Sequence, residues 1–308
     1  MENNKRLLKK DKAWFRIAEH LLEVSIPDTD KLDQLLPSFV PFKCNRSENE
    51  KTMCVVQVVE TAIDVDLTSS RVLSDNSGVL GCYYRLMETD SNYITDIRFA
   101  ESATWYRMVS DKCFTVSQAY IDRSDACAGR VLTFFIMIAF AQSAVLHQTL
   151  LIHASVVGKA EQGYAFLGKS GTGKSTHSAL WIRYLDGVEL LNDDNPAIRI
   201  EEDSCIWIYG TPWSGKTPCY KNRKIRLRAL VRLEQSTVNR FIQKKDKDAM
   251  IALLPGCSSM RWSKQLYAAL CDLLELIIRQ VPVCCLECLP DQEAALLCYS
   301  EIAKTKKV

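Results

Sequence analysis

The sequence predicts an α/β protein in two parts, a smaller and mainly β N-terminal domain followed by a C-terminal α/β domain. Two observations predict this division. Between residues 14 and 123, short runs rich in β-branched and aromatic residues alternate with clusters of Asp, Asn, Ser and Gly. Near residue 170, a short apolar run leads instead through closely spaced glycines into a helical pattern. A chain of 308 residues is long enough for two cores.

The composition is that of a globular protein, with 47% hydrophobic and 25% charged residues. The net charge of +2 gives no reason to expect nucleic acid or an anionic membrane as a partner. Residues 1–11 are polar, lack the apolar core of a secretory signal, and are expected to form a disordered lead-in. The most apolar run, residues 131–141, is about half the length of a membrane span and predicts a buried helix. We therefore expect a cytoplasmic protein.

The thirteen cysteines favour neither disulfides nor a metal site. Their number is odd and the chain is long, so reduced thiols are expected. In the densest cluster, Cys285 and Cys288 have C-x-x-C spacing, but no second pair or Cys/His partner follows at the spacing of a zinc site. We interpret residues 281–289 as a strand in which cysteines take the place of small apolar residues.

The N-terminal domain is predicted to span residues 12–124. Its strand-like runs suggest an antiparallel sheet, and none of them carries residues that suggest catalysis. These runs are residues 54–59, 79–86, 93–99, 103–109 and 113–116. We place the domain boundary before the apolar helix, which ends near residue 147.

The C-terminal domain is predicted to span residues 125–308. After the apolar helix, the pattern predicts strands and helices in alternation, and Asp291 is expected to cap the last helix, through about residue 303. The predicted strands are residues 150–157, 164–167, 188–194, 197–200, 205–209, 225–233 and 281–289, and the other helices are residues 175–183 and 266–278.

Residues 168–175, Gly-Lys-Ser-Gly-Thr-Gly-Lys-Ser, match the phosphate-binding loop pattern G-x-x-x-x-G-K-[ST]. The glycines allow the backbone to aim its N–H groups at an anion, and the helix that follows adds a partial positive charge. Lys174 would reach the β- and γ-phosphates, and the Ser175 hydroxyl would ligate Mg²⁺. The alternative is a glycine-rich turn that matches by chance. The predicted nucleotide-binding residues are Gly168, Lys169, Ser170, Gly171, Thr172, Gly173, Lys174, Ser175 and Thr176.

Asp193 and Asp194 end a predicted strand shortly after the loop, where acidic residues would face the bound Mg²⁺. One would hold the metal, and the other could take a proton from an acceptor hydroxyl. The same residues are also good turn formers. Lys216 could supply further positive charge to a transferring phosphoryl group, or be a solvated loop lysine. From the residues alone, His153 is most simply a core histidine on the strand before the loop strand.

Together, residues 151–157, 168–175 and 190–194 resemble the HPr serine kinase/phosphorylase family, which shares its fold with phosphoenolpyruvate carboxykinases. The resemblance covers roughly residues 125–308 and is specific over about 150–218. It is strongest to small bacterial relatives found beside peptide-modification and other gene clusters, in which a loop like residues 210–213 recurs. The resemblance implies a P-loop domain with a mixed sheet and a place for His153 close to the phosphates. It also implies that one aspartate is the base and the other a metal ligand. We favour Asp193 as base, with Asp194 and Ser175 on the metal.

Two departures from that family narrow the expected function. Thr176 stands where HPr kinases usually have Glu, and the C-terminal signature that supports phosphorolysis is absent, so neither a bifunctional enzyme nor HPr as substrate is expected. The N-terminal region is also unlike that of HPr kinases, and the chain is too short for the substrate lobe of a carboxykinase.

The sequence therefore predicts an ATP- and Mg²⁺-dependent kinase that transfers the γ-phosphoryl group to a hydroxyl of a peptide or protein serine or of a small metabolite. The alternative is a nucleotide-binding sensor or scaffold that does not transfer phosphate. HPr kinases assemble, so a homo-oligomer is also an expectation.

Overall fold

The computed structural model describes residues 10–27, 31–79, 82–215 and 217–305. The chain divides into two compact units, Met1–Ser143 and Ala144–Val308. Each unit contains a nine-stranded mixed sheet, so the protein is mixed α/β. The division lies one helix later in the sequence than the boundary predicted at residues 124/125.

The sheet of the first unit has the strand order β3-β1-β2-β4-β9-β8-β7-β6-β5. The β2/β4 and β4/β9 pairs are parallel and the others antiparallel, so the expectation of a wholly antiparallel sheet is wrong. Its strands are β1 (Lys10–Ile17), β2 (His20–Pro27), β3 (Lys43–Cys44), β4 (Cys54–Val59), β5 (Arg71–Val79), β6 (Cys82–Glu88), β7 (Asn92–Phe99), β8 (Tyr106–Asp111) and β9 (Val116–Tyr120). The helices are α1 (Leu32–Leu35) and α2 (Ala128–Val145), with a 3₁₀ segment at Pro37–Phe42.

The β1–β2 hairpin was not expected from the sequence. Its turn residues, Ala18 and Glu19, have φ angles of 48° and 62°, a conformation for which the sequence offers no Gly or Asn. The predicted lead-in is therefore wrong for residues 10 and 11, which belong to β1. Residues 1–9 lie outside the described residues.

Helix α2 packs within the first unit, which explains where the two units divide. The Ser143 hydroxyl donates to the carbonyl oxygen of Met53 over 3.1 Å. A Cβ atom at Gly129 would lie 2.5 Å from the carbonyl oxygen of Leu35, so only glycine permits this approach. By length and composition α2 could cross a membrane, with 18 residues and a mean hydropathy of 1.6. However, 67% of it is buried in the protein, as in the core helix predicted from the sequence.

The sheet of the second unit follows the path β10-β14-β15-β16-β12-β11-β13, and β18 pairs with both β16 and β17. The β12/β16 and β16/β18 pairs are parallel and the rest antiparallel, which gives a mixed sheet. Its strands are β10 (Thr149–Leu151), β11 (Ala154–Lys159), β12 (Gln162–Leu167), β13 (Val188–Asp194), β14 (Ala197–Ile200), β15 (Ile206–Tyr209), β16 (Lys224–Gln235), β17 (Arg240–Lys244) and β18 (Val283–Cys288). The helices are α3 (Lys174–Tyr184), α4 (Asp246–Leu253), α5 (Lys264–Gln280) and α6 (Gln292–Lys304).

An aromatic cluster fixes α3 on this sheet. Trp181 is fully buried, with its ring centroid 4.9 Å from that of Tyr164 on β12 and 5.2 Å from that of Phe166. Tyr299 of α6 closes the cluster at 5.5 Å. Because α3 begins directly after the glycine-rich loop, this packing also sets the position of the loop.

Other predictions for the second unit agree with the structure. The carboxylate of Asp291 accepts from the backbone N–H of Ala294 over 2.8 Å and so caps α6, as predicted. All thirteen cysteines are free thiols, and Cys284 and Cys285 are buried in β18. Burial raises the pKa of both thiols, as expected for core cysteines.

Candidate functional site

The glycine-rich loop links β12 to α3, the strand and helix predicted on either side of it. Gly171 and Gly173 have φ angles of 80° and 105°, which disfavour any residue with a Cβ atom. Ser175 and Thr176 are exposed in the first turn of α3. The loop therefore presents its backbone and the start of a helix on one exposed surface, where an anion is electrostatically favoured.

The side chain of Lys174 folds back over the loop. Its Nζ atom donates to the carbonyl oxygens of Gly168 at 3.1 Å and Lys169 at 3.3 Å. Burial lowers the pKa of this ammonium group, while the charges of Asp194 and Asp193 act in the opposite direction. The structure thus brings both predicted aspartates within electrostatic reach of the loop lysine.

The two aspartates at the end of β13 have different environments, as expected for neighbours that point to opposite faces of a strand. Asp193 is only 6% exposed, and both of its carboxylate oxygens are buried without a hydrogen-bond partner among the described residues. The side chain of Asp194 is 31% exposed. A buried carboxylate without a partner is costly, so Asp193 is the most unusual group of the site.

Asp194 contacts His153, whose Nδ1 atom lies 2.9 Å from Oδ1 of the aspartate. His153 does not lie on a strand, as the sequence had suggested, but in the short break between β10 and β11. The chain changes partners there, because β10 pairs with β14 whereas β11 pairs with β12 and β13. The backbone N–H of His153 donates to the carbonyl oxygen of Gly256 over 2.7 Å, which fixes the break.

Asn192 is a site residue that the sequence analysis missed. Its fully buried side chain accepts from the backbone N–H of Asp194 over 3.0 Å. Its Nδ2 atom donates to the carbonyl oxygen of Trp213 over 3.1 Å and to the hydroxyl oxygen of Thr211 over 3.2 Å. One amide group therefore holds both the end of β13 and the loop of residues 210–218. No local pattern in the sequence predicts this, since the two segments meet only in the fold.

Residues 213–215 lie directly against the end of β13, where the aspartates are. The backbone N–H of Gly215 donates to the carbonyl oxygen of Asp193 over 3.2 Å, and a Cβ atom at Gly215 would lie 2.8 Å from that oxygen. Lys216, the predicted extra cation, lies outside the described residues. Within the described part of the chain, no group of three His, Cys, Asp or Glu side chains could hold a metal ion.

His177, by contrast, serves the core of the helix. It is buried in α3, and its Nε2 atom accepts from Nε1 of Trp181 over 3.0 Å. Burial lowers the pKa of the imidazole to about 4, so the ring is neutral at pH 7.

A groove of 420 Å³ borders the glycine-rich loop. One wall is formed by loop residues 169–172 and the other by residues 232–235 at the end of β16. The side-chain amide of Gln235 donates to the carbonyl oxygen of Gly171 over 3.3 Å and bridges the two walls. The groove is open space beside the place where phosphates would bind.

No family model and no curated protein matches the sequence. Among solved structures, the chain is similar to the HPr(Ser) kinase/phosphatase from Coxiella burnetii, with 13% sequence identity. The match covers 50% of this chain and 93% of the other, with a TM-score of 0.29. This is a weak likeness at the level of the fold.

Proposed function

We propose that this chain binds ATP with Mg²⁺ at residues 168–176 and transfers the γ-phosphoryl group to a hydroxyl of a peptide, a protein or a small metabolite. The observation that carries the proposal is the pair of carboxylates at the end of β13. One is buried without a hydrogen-bond partner among the described residues, and both lie within electrostatic reach of Lys174. An unpartnered buried carboxylate lowers stability by about 1–3 kcal/mol or more. A bound cation or a transferred proton would offset that cost.

The groups needed to hold the nucleotide are present in the loop. Backbone N–H groups and Lys174 would contact the phosphates, as in other proteins with this loop pattern. Mg²⁺ commonly uses one or two carboxylates together with substrate phosphates and water. Ser175 and one aspartate are therefore a sufficient protein contribution. Lys216 remains a prediction for stabilising the charge on the transferring group.

The exposure of the two aspartates favours a division of roles opposite to the one favoured from the sequence. A general base must come within hydrogen-bond reach of the acceptor hydroxyl. Asp194 is partly exposed and is oriented by His153, so an acceptor can reach it. Asp193 is covered by the loop at Gly215 and is better suited to support the metal, directly or through water. We therefore propose Asp194 as the base and His153 as the residue that positions it.

Slow hydrolysis of Mg²⁺-ATP tests this proposal without knowledge of the acceptor. We expect Asp194→Asn to lower the rate by about 10²–10⁴-fold, the usual contribution of a general base, while ATP binding persists. Asp272→Asn, at an exposed position of α5, is the matched control and should keep the full rate. Full activity in both Asp193→Asn and Asp194→Asn would rule out the mechanism.

A second candidate function is nucleotide sensing without phosphoryl transfer. It is favoured by the burial of both Asp193 carboxylate oxygens and by the hydrogen bonds that Lys174 makes to its own loop. Thermal unfolding with Mg²⁺ and ATP, GTP, ADP or pyrophosphate separates the candidates. Saturation at about a hundredfold over Kd adds about 2.7 kcal/mol, a shift of a few degrees that Lys174→Ala should lose. A shift without any hydrolysis supports the sensor, and no shift with any ligand contradicts both functions.

A further inference from the structure

A second polar pocket lies in the sheet of the second unit, at the end where β12 and β16 begin. It has a volume of 160 Å³. Gln162, Arg226, Arg228 and Gln280 supply its polar side chains, and Val281 and Pro282 are part of its apolar wall. Among the described residues, no acidic side chain lines it.

The pocket exists because β16 changes partners along one edge. The first part of β16 pairs with β15, as far as Arg226, and the pairing with β18 begins only at Leu230. Residues 227–229 therefore lie in a gap between β15 and β18. A register shift in the β12/β16 pair falls at the same place, since Gly163 lies opposite Leu227 and Tyr164 opposite Ala229. Arg228 is thus the extra residue of a β-bulge, a feature that often aims a side chain at a functional site.

The two guanidinium groups have few partners in the described part of the chain, although the Asp203 carboxylate lies within electrostatic reach of Arg226. Nη2 of Arg228 donates to the carbonyl oxygens of Ile302 at 2.8 Å and Thr305 at 3.1 Å. Its Nη1 atom is buried without a hydrogen-bond partner among the described residues. Arg226 contacts the Cys205 thiol at 2.8 Å. Across the described ranges, no carboxylate forms an ion pair with either arginine. A buried guanidinium nitrogen without a partner, such as Nη1 of Arg228, is costly, and an oxyanion is the natural partner of a guanidinium group.

We propose that this pocket binds a phosphate-sized oxyanion, held between Arg226 and Arg228. The pocket is distinct from the glycine-rich loop. Gln162 begins β12 and the loop follows Leu167 at its other end, so about five residue steps, or roughly 17 Å of strand, separate them. One phosphate therefore cannot bridge the two places, and the proposal does not depend on the function proposed for the loop.

Equilibrium dialysis of the full chain against radiolabelled inorganic phosphate, at constant ionic strength in chloride, tests the proposal. We expect one bound phosphate whose Kd rises at least tenfold in Arg226→Gln and in Arg228→Gln. Lys174→Ala should leave this phosphate in place, even if it removes another from the loop. Arg240→Gln is the charge-matched control, because it removes an exposed arginine that pairs with Glu287 elsewhere on the sheet. Arg240→Gln should keep the original Kd.

Using two arginine variants separates a loss of phosphate binding from a loss of folding. Arg228→Gln removes hydrogen bonds to the end of α6, whereas Arg226 is exposed and its replacement leaves those bonds intact. Three results would overturn the proposal: unchanged phosphate binding in Arg226→Gln, loss of all phosphate binding in Lys174→Ala, or displacement of phosphate by acetate at equal concentration. The last would show that the pocket does not select for phosphate.

Discussion

Both units bury carboxylates in nine-stranded sheets, but only the first unit pairs its buried carboxylates with Lys or Arg side chains among the described residues. In the first unit, Glu23 is 5% exposed and lies 2.9 Å from Nζ of Lys12, and Asp96 is 8% exposed and accepts from Nε and Nη2 of Arg107 over 2.7 and 2.8 Å. In the second unit, Asp193 is 6% exposed and has no such partner among the described residues. A nine-stranded mixed sheet can therefore pair its buried carboxylates, as the first unit does. Asp193 therefore reflects the site and not the architecture.

The largest expected effect concerns Asp96, whose carboxylate is paired with Arg107. Asp96→Asn should lower the free energy of unfolding by about 3–5 kcal/mol, because it leaves Arg107 charged in a partly buried position. Urea unfolding of the variant and the wild type measures this. If the two unfold at the same urea concentration, the contrast between paired and unpaired carboxylates has no energetic basis.

A second prediction concerns His177, whose pKa burial lowers to about 4 from 6.5. Below pH 6.5 the unfolded chain protonates this histidine while the folded chain keeps it neutral, so the unfolded state binds more protons. Stability is therefore lost as the pH falls from 6.5 to about 4, by about 3 kcal/mol from this group. His177→Gln keeps an acceptor for Trp181, and its unfolding free energy should depend less on pH in this window. Identical pH dependence in both proteins would contradict the assignment.

The third prediction reverses the sign of the first. Asp193→Asn should raise the free energy of unfolding by about 1–3 kcal/mol in the absence of nucleotide and metal, because it removes a buried charge that has no hydrogen-bond partner among the described residues. The same urea titration measures it beside Asp96→Asn. A loss of stability would mean that Asp193 has a structural partner after all.

The smallest expected effect links that stability to the metal. Mg²⁺ at about tenfold over its Kd should stabilise the wild type by about 1.4 kcal/mol. Asp193→Asn should lose this increment, whereas Asp96→Asn should keep it. Thermal unfolding with and without Mg²⁺ measures this stabilisation. If Mg²⁺ stabilises both variants equally, Asp193 does not contribute to metal binding.

The local part of the site could be predicted from the sequence. The glycine pattern predicted the loop, short apolar runs predicted β12 and β13, and a helical pattern predicted α3, because these features depend on neighbouring residues. The break at His153 could not be predicted, since residues 150–157 contain no Gly, Pro, Asn or Asp and the break arises from a change of pairing partner. The role of Asn192 could not be predicted either, because it joins two segments that are distant in the sequence.

The first unit shows the same limit. Strands such as β4 were predicted from runs of β-branched and aromatic residues, and β4 alternates between buried and partly exposed positions. The β1–β2 hairpin was missed because Ala18 and Glu19 adopt positive φ angles that propensity disfavours. The two parallel pairings were also missed, since strand direction is set by contacts between distant segments and leaves no local signal.

The loop of residues 210–218 has a further consequence for how the protein behaves in solution. Strand β13 lies at the edge of its sheet, where unpaired backbone groups invite other chains to add a strand. The loop and the segment after it cover that edge: Ser214 bridges to Asp194, Gly215 bonds Asp193, and the Cys219 thiol donates to the carbonyl oxygen of Leu191. The segment that lies against the candidate site therefore also covers the edge of the sheet. Loosening it would expose backbone groups of β13 that can pair with another chain, together with the carboxylates.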